Sequence, residues 1–259
     1  MLAFIGGTGL SELDALDAVE VKKVATPYAD HEVAITTGSM EGLEIAFLPR
    51  HGSRHVIPPH KINYRANIWA LKQIGVEDII AINAVGGINP QLTPGQLAIP
   101  DQLVDYTYNR PNTFFEADLD EIVHIDFTHP YSEKLRHMLI VAAEEVDDDM
   151  DESDENLPFT KGTYACMQGP RLETAAEIVR LRRDGCDMVG MTGMPEAALA
   201  REMHLRYACL ALSVNRAAGL ENHPITMDMI NKVLASAMDD VKQILRRFIG
   251  IYLREQSGS

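Results

Sequence analysis

The sequence predicts a single α/β domain with a mixed central sheet flanked by helices. Three observations carry that prediction. Short apolar runs ending in glycine-rich or polar turns alternate with segments of helical spacing along all 259 residues. The composition, 46% hydrophobic and 6% aromatic, supplies enough apolar material for a sizeable core. Dense apolar patterning continues on both sides of the one strongly charged stretch, so no domain linker is expected and residues 1–259 are read as one unit.

Taken in order, Leu2 to Ile5 is a buried strand stopped by Gly6-Gly7-Thr8-Gly9. Val33 to Thr37 and Glu44 to Leu48 flank Met40-Glu41-Gly42 as a hairpin. His60 to Ile74 has helical spacing through Ile62, Ala66, Trp69 and Ala70, and Gly75 stops it. Asp78 to Asn83 is a strand opening into Ala84-Val85-Gly86-Gly87, and Tyr131 to Val146 is a helix. Strands follow at Gly162 to Met167, Met188 to Gly190 and Tyr207 to Val214, with helices at Glu173 to Asp184 and Pro195 to Met203. A last helix, about Thr226 to Leu253, places Ile230, Val233, Leu234, Ala237, Val241, Ile244, Leu245 and Phe248 on one stripe.

Residues 147–157 form an acidic segment with seven carboxylates between Asp147 and Glu155. Like charges at that density repel and resist burial, so a solvated surface loop is expected, with cation binding as the alternative.

The formal net charge of −15 argues against a nucleic-acid polymer as partner. It also makes any local gathering of Arg and His informative. Cys166, Cys186 and Cys209 are widely spaced without a Cys-x-x-Cys, which fits buried thiols in a reducing compartment. The first residues lack a basic leader, and no apolar run approaches the ~20 residues of a membrane span. A cytoplasmic enzyme without membrane attachment is expected. The nine His show no metal-ligand spacing, and no Gly-x-Ser-x-Gly elbow is present. These absences leave chemistry in which the protein positions an anionic nucleophile and stabilises developing charge.

Six loops could carry that chemistry. Gly6-Gly7-Thr8-Gly9 offers close backbone N–H groups and a hydroxyl, or is simply a turn; it lacks the third glycine of a dinucleotide fingerprint. Arg50-His51-Gly52-Ser53-Arg54-His55 gathers four cationic or potentially cationic side chains in six residues of an acidic chain. It reads as an anion trap or as a solvated basic turn. Asn83-Ala84-Val85-Gly86-Gly87 is a further strand end. In Gln168-Gly169-Pro170-Arg171-Leu172-Glu173-Thr174, Glu173 either faces a ligand or favours a helix start through the dipole. Gly190-Met191-Thr192-Gly193-Met194-Pro195-Glu196 puts a hydroxyl near a helix start. In Ser213-Val214-Asn215-Arg216-Ala217-Ala218-Gly219, Asn215 is a ligand group or a turn residue.

In this order the loops resemble the trimeric purine nucleoside phosphorylase and methylthioadenosine phosphorylase family over nearly the whole chain. The matching pieces are Gly6-Gly7-Thr8-Gly9-Leu10, Pro49-Arg50-His51-Gly52 with His55, Asn63-Tyr64-Arg65-Ala66-Asn67, Asn83-Ala84-Val85-Gly86-Gly87, Gly169-Pro170-Arg171-Leu172-Glu173-Thr174 and Met191-Thr192-Gly193-Met194-Pro195-Glu196. The acidic 147–157 segment departs from the family as an insertion. The resemblance implies a partly barrel-like sheet, a homotrimer and a role in purine salvage. The implied reaction is attack of inorganic phosphate on C1′ of a nucleoside, with no metal or cofactor.

Carried over by position, Thr8, Arg50, His51, His55, Asn83, Ala84 and Thr192 would hold phosphate. Met191 would pack under the ribose, and Leu172, Glu173, Asn215, Arg216 and Ala217 would surround the base. Asn215 and His51 are the expected catalytic residues. A fixed partner at purine N7 acts where charge develops.

Two features bear on substrate choice. Methylthioadenosine members carry Asp-x-Asp where this chain has Asn215-Arg216-Ala217, while Glu173 can accept the N1–H of a 6-oxopurine. At the sugar end, where inosine phosphorylases carry a His, this chain has Ile230 followed by Val233, with Met227 and Met229 nearby. An apolar wall suits a 5′-methylthio group, although Ile230 and Val233 are also ordinary core types. The combination favours S-methyl-5′-thioinosine over inosine, guanosine or methylthioadenosine. A hydrolytic nucleosidase or a non-catalytic nucleoside-binding protein are the readings from other classes.

Overall fold

A computed structural model describes residues 1–10, 16–117, 119–148 and 157–257. Its first strand, β1 (Leu2–Gly6), is apolar throughout and completely buried. β2 (Asp17–Val24), β3 (Val33–Met40) and β4 (Leu43–Pro49) follow as an antiparallel meander. The β3–β4 turn is the expected hairpin: Glu41 and Gly42 both take positive φ, as a two-residue turn compatible with strand twist requires.

A short 3₁₀ turn at Pro59–Lys61 precedes α1 (Tyr64–Gln73). This helix begins later than the apolar spacing suggests, because the Asn63 side chain accepts the Ala66 N–H at 3.0 Å and fixes the N-cap. β5 (Asp78–Gly87), β6 (Leu97–Ala98) and β7 (Gln102–Asp105) lead into an irregular stretch, and then α2 (Glu133–Asp148). The chain continues through β8 (Thr163–Cys166), α3 (Ala175–Arg183), β9 (Met188–Gly190), α4 (Gly193–Glu202), β10 (Arg206–Arg216) and α5 (Met227–Ser257). β2, β6 and β7 were not foreseen. Outward-facing β2 and two very short strands have too little apolar alternation to register as strands. The acidic 147–157 segment falls largely on residues 149–156, outside the described residues.

The strands form one ten-stranded mixed sheet in the order β2-β3-β4-β1-β5-β9-β8-β7, branching at β5, which also pairs with β10; β10 in turn pairs with β6. The branching suits the partly barrel-like sheet that was expected. One face packs against α2 and α5 through residues such as Phe4, Phe47, Leu139, Leu210 and Phe248. The other packs against α1 and α4 through Ile5, Ile68, Ile79, Leu199 and Tyr207. Cys166, Cys186 and Cys209 are buried and unpaired. No described helix is long and apolar enough to cross a membrane.

Candidate active site

The site forms where β5 changes neighbours. Its first half, Asp78 to Ala81, lies between β1 and β10. At Gly86 and Gly87, β9 has taken the place of β1. Between these points one edge of β5 pairs with no described strand, and loops close in on it. The Ile82 carbonyl accepts a hydrogen bond from Arg50 Nη1 at 2.8 Å. Gly7 lies so close that a Cβ there would stand 2.5 Å from the Ile82 oxygen and 2.8 Å from Arg50 Nη1, so only glycine fits.

A cavity of about 410 Å³ opens over this gap. Thr8, Arg50, His51, His55, Ala84, Leu172, Glu173, Met191, Thr192, Asn215 and Ile230 all line it. Residues singled out from six separated loops thus converge on one enclosure. The sequence alone could not show that the loops meet.

The β1 and β4 ends build the polar side. The turn after β4 is tied by Gly52 N–H to Pro49 O at 2.9 Å and His55 N–H to Gly52 O at 2.9 Å. His51 Nδ1 lies 2.8 Å from the Ile57 carbonyl. A carbonyl only accepts, so Nδ1 carries the proton and the neutral ring keeps a lone pair on Nε2. Burial pushes the His51 pKa down to about 4; the neighbouring charges of Arg50 and His55 add to this, and the Ile57 bond opposes it. His55 is also lowered by burial; its Nε2 lies 3.4 Å from Thr8 Oγ1 and its ring centroid 4.5 Å from that of His51. At neutral pH the cluster is therefore less cationic than its composition suggests.

Arg50 departs from expectation in its geometry. An anion trap would have its guanidinium offer the two parallel donors of one edge to the anion. In the structure that edge faces Glu196, with Nε to Oε2 at 2.9 Å and Nη2 to Oε1 at 2.8 Å. The physical reason is burial: Arg50 is 1% exposed, and a cation removed from water needs a counter-charge. Burial alone would pull its pKa down, but the Glu196 charge and hydrogen bonds hold it above the usual value.

Thr192 precedes α4 and its side chain makes no capping hydrogen bond to the helix, so its hydroxyl stays available. Asn83, on β5, is 2% exposed, and neither its Oδ1 nor its Nδ2 has a partner.

The other side of the cavity is mixed. β10 loses register between Ser213 and Asn215, so the consecutive residues Val214 and Asn215 both reach the cavity. Asn215 sits opposite Gly86, where a Cβ would crowd its Nδ2 at 3.3 Å. Nδ2 donates to the Arg216 carbonyl at 2.8 Å, leaving Oδ1 as an acceptor. Glu173 stands just outside α3. That helix is capped by Thr174 and Glu177 in a reciprocal pair, so Glu173 is not part of its first turn. Arg171 is engaged by Glu177 at 2.8 Å. Burial raises the Glu173 pKa, with the Glu177 charge adding to it. Ile225, Met227 and Ile230 form an apolar wall nearby.

Four expected residues do not line the cavity. Asn83 lies on the lining strand, but its side chain is sealed from solvent. Ala217 is buried behind Gly86. Val233 packs into the core against α5's neighbours. Arg216 is a correction to the expected base contact: its guanidinium holds the carbonyls of Ile88, Asn89 and Leu92, with Nη1 to Leu92 O at 3.0 Å. It braces the β5–β6 turn because three carbonyls there lack strand partners.

Arg110 was not singled out from the sequence. It is 7% exposed and donates to the carbonyls of Met167, Gln168, Met191 and Met194, and to Gln168 Oε1 and Tyr64 Oη. It staples the segment that leads to Glu173 onto the one that carries Met191 and Thr192. Arg110 sits in an irregular stretch without periodicity, so nothing local marks it. Glu196 lay within a matching motif, but its acceptor role needed the partner to be visible.

The model for the phosphorylase superfamily matches residues 1–250. A probable S-methyl-5′-thioinosine phosphorylase from Pseudomonas syringae pv. tomato is 53% identical over 248 residues, covering 95% of this chain and 97% of the relative. A 6-oxopurine nucleoside phosphorylase from Pyrococcus furiosus is 42% identical over 261 residues, covering 98% and 94%. Among solved structures, a methylthioadenosine phosphorylase from Schistosoma mansoni in complex with adenine superposes with a TM-score of 0.89 at 30% identity, covering 97% of this chain and 91% of that one.

Proposed function

The chain belongs to the phosphorylase superfamily and is a purine nucleoside phosphorylase, a pentosyltransferase; from that premise we propose that its preferred substrate is S-methyl-5′-thioinosine. The products would be hypoxanthine and 5-methylthioribose 1-phosphate. One observation carries this reading: a single cavity joins a polar pair suited to a 6-oxopurine, Glu173 and Asn215, to an apolar wall of Ile225, Met227 and Ile230.

The chemistry follows from the lining. A phosphate oxygen attacks C1′ while the C1′–N9 bond breaks and its electron pair passes into the purine. The hydrogen carried by HPO₄²⁻ ends on the base, which leaves neutral. Asn215 Oδ1, fixed by the Nδ2 bond to the Arg216 carbonyl, accepts from N7–H once N7 has taken that hydrogen, and so favours the neutral leaving base over its anion. A Glu173 carboxylate accepts N1–H, which adenine lacks. Thr8, Arg50, His51, His55, Ala84 and Thr192 form the phosphate end, and His51 Nε2 is an acceptor for the phosphate hydrogen. Met191 forms the ribose floor. The reading needs no metal or cofactor, since phosphate is the nucleophile.

At the other end of the nucleoside, the three apolar side chains leave a 5′-hydroxyl without a partner, whereas a methylthio group fills the same space. The reading also takes the protein as cytoplasmic, in keeping with three unpaired thiols, and as a homotrimer. Tyr108, Ile122 and Val123 leave apolar surface exposed that subunit contact would cover; sedimentation equilibrium checks the trimer.

Comparing kcat/KM for S-methyl-5′-thioinosine, inosine and S-methyl-5′-thioadenosine tests the substrate. Inosine ahead by more than about tenfold sinks the apolar-wall argument, and methylthioadenosine ahead sinks the Glu173–Asn215 argument.

A further inference from the structure

Arg50 is the fixed cation of the polar end, and its surroundings determine how much charge an anion there meets. A guanidinium has five N–H donors. Nε and Nη2 face the two oxygens of Glu196, Nη2 also approaches the Ile5 carbonyl at 3.5 Å, and Nη1 donates to the Ile82 carbonyl. One Nη1 hydrogen remains, on the side that Gly7 keeps open. Glu196 is itself 1% exposed, and it is held from behind by the Tyr207 hydroxyl, which donates to Oε1 at 2.8 Å. The carboxylate therefore cannot swing away to solvent, and the Arg50–Glu196 pair presents nearly zero net charge to the cavity.

We propose that Glu196 is a positioning residue that sets the charge of the phosphate site, locking Arg50 in one orientation and cancelling its charge so that bound phosphate keeps its negative charge for the ribose. The proposal rests on the reading that the Arg50 end of the cavity takes phosphate. Its logic is differential binding. An uncompensated buried Arg50 would hold ground-state phosphate tightly and draw off its electron density. That stabilises the nucleophile before reaction and weakens its attraction for a ribose acquiring oxocarbenium character. With Glu196 in place, phosphate is held mainly by neutral donors, and its charge is met only as C1′ becomes cationic. A merely structural ion pair between α4 and the turn after β4 predicts something different: losing it would loosen the site and weaken phosphate binding.

Steady-state kinetics with the full chain, varying inorganic phosphate at saturating nucleoside, separates these. In Glu196→Gln the phosphate KM is expected to fall about fivefold while kcat falls at least about tenfold. A phosphate KM that rises or stays within about twofold, or a kcat that holds, overturns the proposal. A second comparison holds even if that variant does not fold. Arg50→Met leaves Glu196 as a lone carboxylate against the anion, and the phosphate KM is expected to rise more than about a hundredfold. Adding Glu196→Gln to Arg50→Met is expected to recover at least about tenfold of that loss, and no recovery overturns the charge role. Should Arg50→Met leave the phosphate KM within about twofold of the parent, the assignment of this end to phosphate is wrong, independently of what Glu196 does.

Discussion

Acidification reports directly on His51. The imidazole is 8% exposed, with Nδ1 on the Ile57 carbonyl and Arg50 beside it. It titrates at about 4 in the folded chain, against 6.5 for a free histidine. The sign follows from the lowered value. Above pH 6.5 the ring is neutral in both states. As pH falls below 6.5 the unfolded chain takes up a proton that the folded chain refuses until about pH 4, so stability is lost across that interval. At 1.36 kcal/mol per pH unit, the total is about 3 kcal/mol. The matching perturbation is His51→Asn, whose amide N–H can still reach the Ile57 carbonyl but does not titrate. Urea unfolding at pH 7, 6, 5 and 4.5 gives stability for both proteins. The wild-type minus variant difference should shrink by about 2–3 kcal/mol from pH 7 to 4.5. Parallel curves would refute the claim that the folded site excludes the imidazolium. The catalytic counterpart is a rate profile with no inflection near 6.5 attributable to His51, because the neutral ring is the working form at the phosphate end.

Three further outcomes follow from the same geometry. Arg110→Met leaves the buried Met194 carbonyl and the partly buried carbonyls of residues 167, 168 and 191 without this donor; a loss of about 2–4 kcal/mol in urea unfolding is expected, with the nucleoside KM raised at least about tenfold. Ile230→His places a hydrogen-bonding group in the apolar wall and should shift the inosine-to-methylthioinosine ratio of kcat/KM toward inosine by about tenfold or more; an unchanged ratio places the 5′ group elsewhere. Gly7→Ala puts a methyl 2.5 Å from the Ile82 oxygen and against Arg50 Nη1, so the phosphate KM should rise at least about tenfold and unfolding stability should fall by about 1–3 kcal/mol.

The hairpin at Glu41-Gly42, the buried β1 and the amphipathic α5 were legible because each follows a local rule. Their signals are a turn dipeptide, a short apolar run and a 3.6-residue stripe. β2 and the two-residue β6 escaped the same reading, since a largely exposed strand and a very short one carry little apolar alternation. At the site, the residue types of Thr8, His51, Glu173, Met191, Thr192 and Asn215 were readable in loop after loop. The contacts made by Arg110, Arg216 and Glu196 were not: Arg110 and Arg216 bond to residues 46 to 128 positions away, and Glu196 pairs with Arg50, 146 positions away.

By itself the sequence determined which groups are present and what each could do: a cluster of Arg and His in an acidic chain, a carboxylate and an amide suited to a 6-oxopurine, and apolar residues at the start of the last helix. The tertiary structure decided their state. Closing β5 between β1 and β10 buried Arg50 beside Glu196 and removed its two-point fork from any ligand. The same closure kept His51 neutral, and a slip in β10 brought Asn215 into the cavity. Charge, protonation and direction depend on burial and on partners far along the chain, and burial exists only once the sheet has closed.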